Sequence, residues 1–179
     1  MVYEVGAPVS TSTATRMRRF LRDAAGVTAI EVAILAPVFV GLLFGAIQVG
    51  TIYFVKAALE AATVNVARLA MTGQVTSYAN LRTAMCASMP TLLDCTQILI
   101  NVTPYTSLTA MNAANPTMTY NADGTVSNTW GTSIGSGGNL MVLQAIYQFP
   151  LFKGPFFSFA TQGNGSYLAV ATSVYVNEN

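Results

Sequence analysis

From residue 32 to residue 55 the chain reads VAILAPVFVGLLFGAIQVGTIYFV, without one formal charge. A helix of ~20 apolar residues crosses a ~30 Å hydrocarbon core. Backbone in lipid must satisfy its own hydrogen bonds, so a run of this kind folds as a membrane-spanning helix. It exceeds the ~7–15 apolar residues of a cleaved secretory signal, so the sequence predicts a permanent single-pass anchor.

The apolar surplus tips the whole composition. The chain is 53% hydrophobic and 8% charged, against ~25% charged in ordinary soluble domains, and its mean hydropathy is +0.49. The part of the chain beyond the span is long enough for one small domain with its own core. Arg16, Arg18, Arg19 and Arg22 crowd the N-terminal flank, while Lys56 is the first cation beyond the span. The positive-inside rule therefore predicts a cytoplasmic N-terminus and an extracytoplasmic C-terminal part. The four arginines abut the span and no second basic patch lies beyond it, which argues against nucleic acid as a partner.

Periodicity predicts an α+β chain. A helix beginning near Met17 is expected to leave the bilayer as a stalk, because Lys56, Glu60, Thr63, Asn65 and Arg68 leave an apolar stripe, with Gly73 as the C-cap. SYANLRTAMCASMP reads as a second, short helix opened by Ser77 and stopped by Pro90. The period then changes to two in QILINVT, in LMVLQAIYQFP and in SYLAVATSVYV, where Leu168, Val170, Thr172, Val174 and Val176 alternate. These are three strands of a small antiparallel sheet covered on one face. The expected organisation is a basic leader at 1–26, a transmembrane and stalk helix at 27–73, and an α+β head at 74–179.

Residues 104–139 carry only one charge, Asp123, and read as a surface excursion that touches a partner, with a turn at NADGT and short strands around Tyr120 and Val126. Cys86 and Cys95 lie in the exported part, where a disulfide is the default; closing so short a loop is worth about 3 kcal/mol. The chain has no His, and Asp94, Asp123 and Glu178 are scattered, so neither general acid–base catalysis nor a metal or cofactor site is expected. Trp130, Tyr105, Tyr120, Tyr147 and Tyr167 either pack in strands or offer stacking faces in a polar setting.

Within the span, Pro37 removes a backbone donor and predicts a kink or local unwinding. Gly41, Gly45, Ala46 and Gly50 supply small faces that let another helix approach closely. Glu31 stands at the front of the apolar run. A carboxylate costs about 2.5–3.5 kcal/mol at a membrane helix centre and less near its edge, so Glu31 is either an interfacial acid or one with a partner made later.

Gly26 precedes Glu31 by five positions, and the G-x-x-x-x-E pattern after a basic segment resembles the recognition site of type IV prepilin peptidases. The longer stretch RRFLRDAAGVTAIEVAILAPVFVGLLFGAIQVG, through Gly26, Ala29, Glu31, Ala33 and Pro37, resembles the TadE-like family of pseudopilins or minor pilins of the tight-adherence (Flp-type) pilus. YQFP and SVYVNEN give a looser likeness near the C-terminus, where Val176 stands in place of the family's Arg. The resemblance implies cleavage between Gly26 and Val27, with Glu31 pairing the new α-amine of a neighbouring subunit as a register lock. It also implies the lipid bilayer, other pilins and pseudopilins, the prepilin peptidase and an inner-membrane assembly platform as partners. The protein would reside in the bacterial inner membrane with a periplasmic head, or enter the extracellular pilus. Its expected role is that of a non-catalytic subunit in pilus assembly or tip structure. The alternatives are an uncleaved bitopic assembly factor and a membrane-tethered surface- or glycan-binding module.

Overall fold

The computed structural model describes residues 24–114, 118–151, 159–162 and 164–178. The chain divides into two compact units, Met1–Leu43 and Phe44–Asn179. Helix α1 is assigned over Ala24–Met71; a start near Met17 lies outside the described residues. It is long and apolar enough to cross a membrane. In the first unit its large apolar side chains stay exposed among the described residues, Ile34 at 66% and Phe39 at 63%.

In the second unit the same helix acquires an inward face. Val55, Leu59, Ala62, Val66, Ala67 and Ala70 are buried at three- and four-residue spacing, the stripe of a helix lying on a core. Thr63 departs from the expected polar set, being only 1% exposed. Its hydroxyl donates to the Leu59 carbonyl at 2.7 Å, which satisfies the group within the helix and allows its burial. The helix stops where Gly73 takes φ 71°. The Gln74 amide then donates to the Leu69 carbonyl at 3.0 Å and the Gly73 amide to that of Ala70 at 3.1 Å, a Schellman closure that uses the expected C-cap.

Helix α2 spans Tyr78–Ser88, with Ser77 as N-cap accepting from the Asn80 amide. The Cys86–Cys95 disulfide, Cα atoms 5.5 Å apart, ties its last turn to a 3-10 turn over Cys95–Gln97. Asp94 caps that turn. Its carboxylate accepts from the Thr96 hydroxyl and amide, and these hydrogen bonds hold it below its ordinary pKa.

Strand β1 runs Ile98–Tyr105, β2 Leu140–Pro150 and β3 Ser166–Val176. They form one antiparallel sheet in the order β1-β2-β3, with Ile98 opposite Tyr147 and Leu140 opposite Val176. The first strand continues through Pro104, which an edge strand tolerates. Ile98, Ile100, Val102, Leu143, Ala145, Tyr147 and Phe149 share one hydrophobic core with the buried residues of α1 and with Leu81 and Met85 of α2. One face of the sheet is therefore covered, as the sequence predicts.

The third strand meets that core through Ala169, Ala171 and Tyr175. The more apolar alternation, Leu168 to Val176, lies on the opposite face, where Val174 is 46% and Val176 48% exposed. Small residues on the packed face let larger neighbours interdigitate, so hydrophobicity alone does not name the inner side. Between β1 and β2, NADGT forms its turn, with Gly124 at φ 78° and Tyr120 bridging Val126. The same segment also holds a six-residue helix α3, Leu108–Ala113, and a parallel bridge from Val102 to Thr132.

Tyr175 is 7% exposed, and its hydroxyl has no hydrogen-bond partner among the described residues. Burial raises its pKa. An unmet buried hydroxyl costs about 1–3 kcal/mol, so Tyr175→Phe is expected to stabilise the head by about 1 kcal/mol. A higher denaturant midpoint at unchanged slope would confirm this, and a lower midpoint would reveal a partner for the hydroxyl.

Candidate functional site

Glu31 is the acid of α1 for which the described residues show no ion-pair partner. Side chains three and four positions away on a helix are its natural neighbours, and for Glu31 these are Val27, Thr28, Ile34 and Leu35, none cationic. Glu31 itself is exposed. No ion pair to it is found among the described residues. The ion pair that is found joins Lys56 to Glu60 at 3.8 Å, with both side chains about half exposed, an arrangement worth little in water.

Gly26 and Gly50 show a related pattern. A Cβ built at either position meets nothing within 4 Å. Among the described residues nothing in the packing requires either glycine, although glycine inside a helix costs about 1 kcal/mol relative to alanine. Gly41 and Gly45 are half-buried and Ala46 is exposed. The Gly26–Val27 bond lies within the described helix, with Val27 57% exposed.

Pro37 sits in the interior of α1, and the helical assignment runs through it without a break. Local unwinding there is therefore not found. Proline has no amide hydrogen, so the Ala33 carbonyl loses its usual intrahelical donor. Arg16, Arg18, Arg19 and Arg22 lie outside the described residues.

In the head the aromatics separate by role. Tyr147 stacks on Phe149 with ring centroids 6.0 Å apart, and the Tyr167 ring lies tilted at 5.6 Å from Phe149. These two tyrosines serve packing. Tyr120 is 43% exposed, its hydroxyl accepting from the Gln162 amide at 3.3 Å. Tyr105 is half-buried on the sheet face away from the core, while Trp130 is half-buried in the segment before β2.

Comparison with protein-family models gives a match to "TadE-like protein" over residues 26–68. The matched segment begins at Gly26 and ends on the buried stripe, so it contains Glu31, Pro37 and the small-residue positions. No curated protein and no solved structure matched the chain. The family match points to membrane association and to a minor pilin-like protein of the Tad pilus system, and the apolar helix points to single-pass anchoring. Over that segment, residues 26–68, the chain is similar to the TadE-like family.

Proposed function

We propose that this protein is a non-catalytic minor pilin or pseudopilin of a tight-adherence pilus, processed after Gly26 and acting in pilus assembly or at the tip. The observation that carries the reading is Glu31: a carboxylate on an apolar helix whose helical neighbours offer it no cation. Cleavage between Gly26 and Val27 creates an α-amino group four residues before it. Within one helix that amine lies about one turn from Glu31, so the pairing is not unique to one chain. A parallel neighbour staggered by about one turn also presents its Glu31 to the amine, and opposite charges held in low dielectric then offset part of each other's desolvation.

Gly26 fits the same reading. The open space around it among the described residues suits recognition by the processing enzyme. The exposed apolar face of the first unit suits lipid before assembly and neighbouring subunits afterwards, with Gly41, Gly45, Ala46 and Gly50 as points of close helix approach. The arginine-rich flank supports an inner-membrane subunit with a cytoplasmic leader and a periplasmic head. Other pilins and pseudopilins, the prepilin peptidase and the assembly platform are the partners this role requires.

The test is N-terminal sequencing of the protein from its native membrane, with and without the host's prepilin peptidase. A peptidase-dependent N-terminus at Val27 is the expected result. An uncut leader in both samples would replace the proposal with an uncleaved bitopic assembly factor, in which Glu31 is an interfacial acid.

A further inference from the structure

The sheet face turned away from the core carries a cavity of about 390 Å³. Strand register builds it, since Asn101 lies opposite Gln144 and Gln144 opposite Thr172, placing three polar side chains in one row across the sheet. Tyr105 and the short helix α3, through Met111 and Asn112, form its wall on the β1 side. Val142 and Val174 supply apolar floor one rung along.

The polar row is oriented by a backbone group. The Gly131 amide donates to Asn101 Oδ1 at 2.8 Å, which fixes that atom as the acceptor and turns Asn101 Nδ2 toward Gln144. Asn101 Nδ2 then donates to Gln144 Oε1 at 2.9 Å. This uses the acceptor end of Gln144 and leaves Nε2, with two hydrogens, as the end without a partner among the described residues. The hydroxyls of Tyr105 and Thr172 and the amide of Asn112 likewise make no hydrogen bond among the described residues. Space for a Cβ at Gly131 is absent, the Val102 carbonyl oxygen being 2.6 Å away, so the segment that sets the row is itself held close against β1.

We propose that this cavity binds a neutral saccharide, one or two pyranose rings in size. Small-molecule sites run from about 300 to 1,000 Å³ with few, well-placed polar groups on an apolar ground, and this one lies near the lower end. Among the described residues no Asp, Glu, Lys or Arg lines it, so these walls offer no counter-charge to an anionic or cationic ligand. The backbone groups of β2 are spent in ladders on both sides, so an extended peptide lying over the face of β2 finds no backbone groups to pair with there; the edge of β3 lies to one side of the cavity. A pyranose brings what the walls lack: hydroxyls around its rim for the amides and hydroxyls, and C–H faces for Val142, Val174 and the Tyr105 ring. The site stands on the head alone and does not depend on processing or on pilus assembly.

The test uses the full chain in lipid nanodiscs, titrated by calorimetry with methyl glycosides of glucose, galactose, mannose and N-acetylglucosamine. Saturable binding of at least one, at millimolar Kd or tighter, is expected. Thr172→Val and Asn112→Ala alter exposed side chains that make no hydrogen bond among the described residues, so the fold is kept, and each should weaken binding about tenfold. Gln144→Glu reverses the end that donates and should weaken it further. Three results would overturn the proposal: no saturation by any glycoside, binding that both exposed-site variants leave unchanged, or equally tight binding of methyl glucuronide.

Discussion

Replacing Glu31 with alanine is expected to leave the protein in the membrane at wild-type level and, on the proposed function, to deplete it from assembled pili. Insertion is governed by the uncharged run at 32–55, and deleting a carboxylate at its edge makes transfer into lipid easier. Assembly responds in the opposite direction. If Glu31 neutralises the α-amine of a neighbouring subunit, its loss strands that amine, and removing one partner of a buried ion pair costs about 3–5 kcal/mol. At ~1.4 kcal/mol per tenfold, this exceeds a hundredfold in the equilibrium between lipid and filament. Immunoblots of sheared pili and of membranes from the same cells measure both quantities. Wild-type amounts in both fractions would remove the register lock while leaving the family assignment untouched. A variant that also blocks cleavage would confound the reading, so the N-terminus of the Glu31→Ala protein is sequenced in parallel.

The strands were legible because an alternating pattern and its bounding turn residues occupy the same few positions. LMVLQAIYQFP and SYLAVATSVYV became Leu140–Pro150 and Ser166–Val176. The side on which β3 packs was not legible, since Ala169 and Ala171 are chosen for fit against other core side chains and not for hydrophobicity. Helix α3 is six residues long and stabilised by its Ser107 cap, too short for a helical period to emerge. The bridge from Val102 to Thr132 is made by backbone groups, which leave no trace in residue type. Glu31 and Gly26 could be found from sequence because each violates its surroundings: a charge in an apolar run, a glycine in a helix. The cavity on the sheet could not. Its lining comes from β1, α3, β2 and β3, and only register places Asn101, Gln144 and Thr172 in line.

Leu59→Ala is expected to lower the stability of the head by about 2–5 kcal/mol, the range for removing a fully buried leucine side chain, or on the order of 10 °C in Tm. Leu59 is 0% exposed and belongs to the cluster that joins α1 to Met85 of α2 and to Ile100 and Leu143 of the sheet. The cavity left by its truncation opens at the centre of that cluster. Val64→Ala is the matched control, since Val64 lies on the same stretch of helix but is 61% exposed, and its replacement should change stability by less than about 0.5 kcal/mol. Thermal unfolding in detergent with near-ultraviolet circular dichroism separates the two. Equal, small effects would mean that the head does not need α1 for its core, and that the sheet and α2 fold without it. The expected difference carries a functional consequence. If a subunit is drawn out of the bilayer by its N-terminal helix, the force reaches the head through the packed stripe from Val55 to Ala70, so Leu59→Ala should also reduce recovery in sheared pili even though Glu31 is intact.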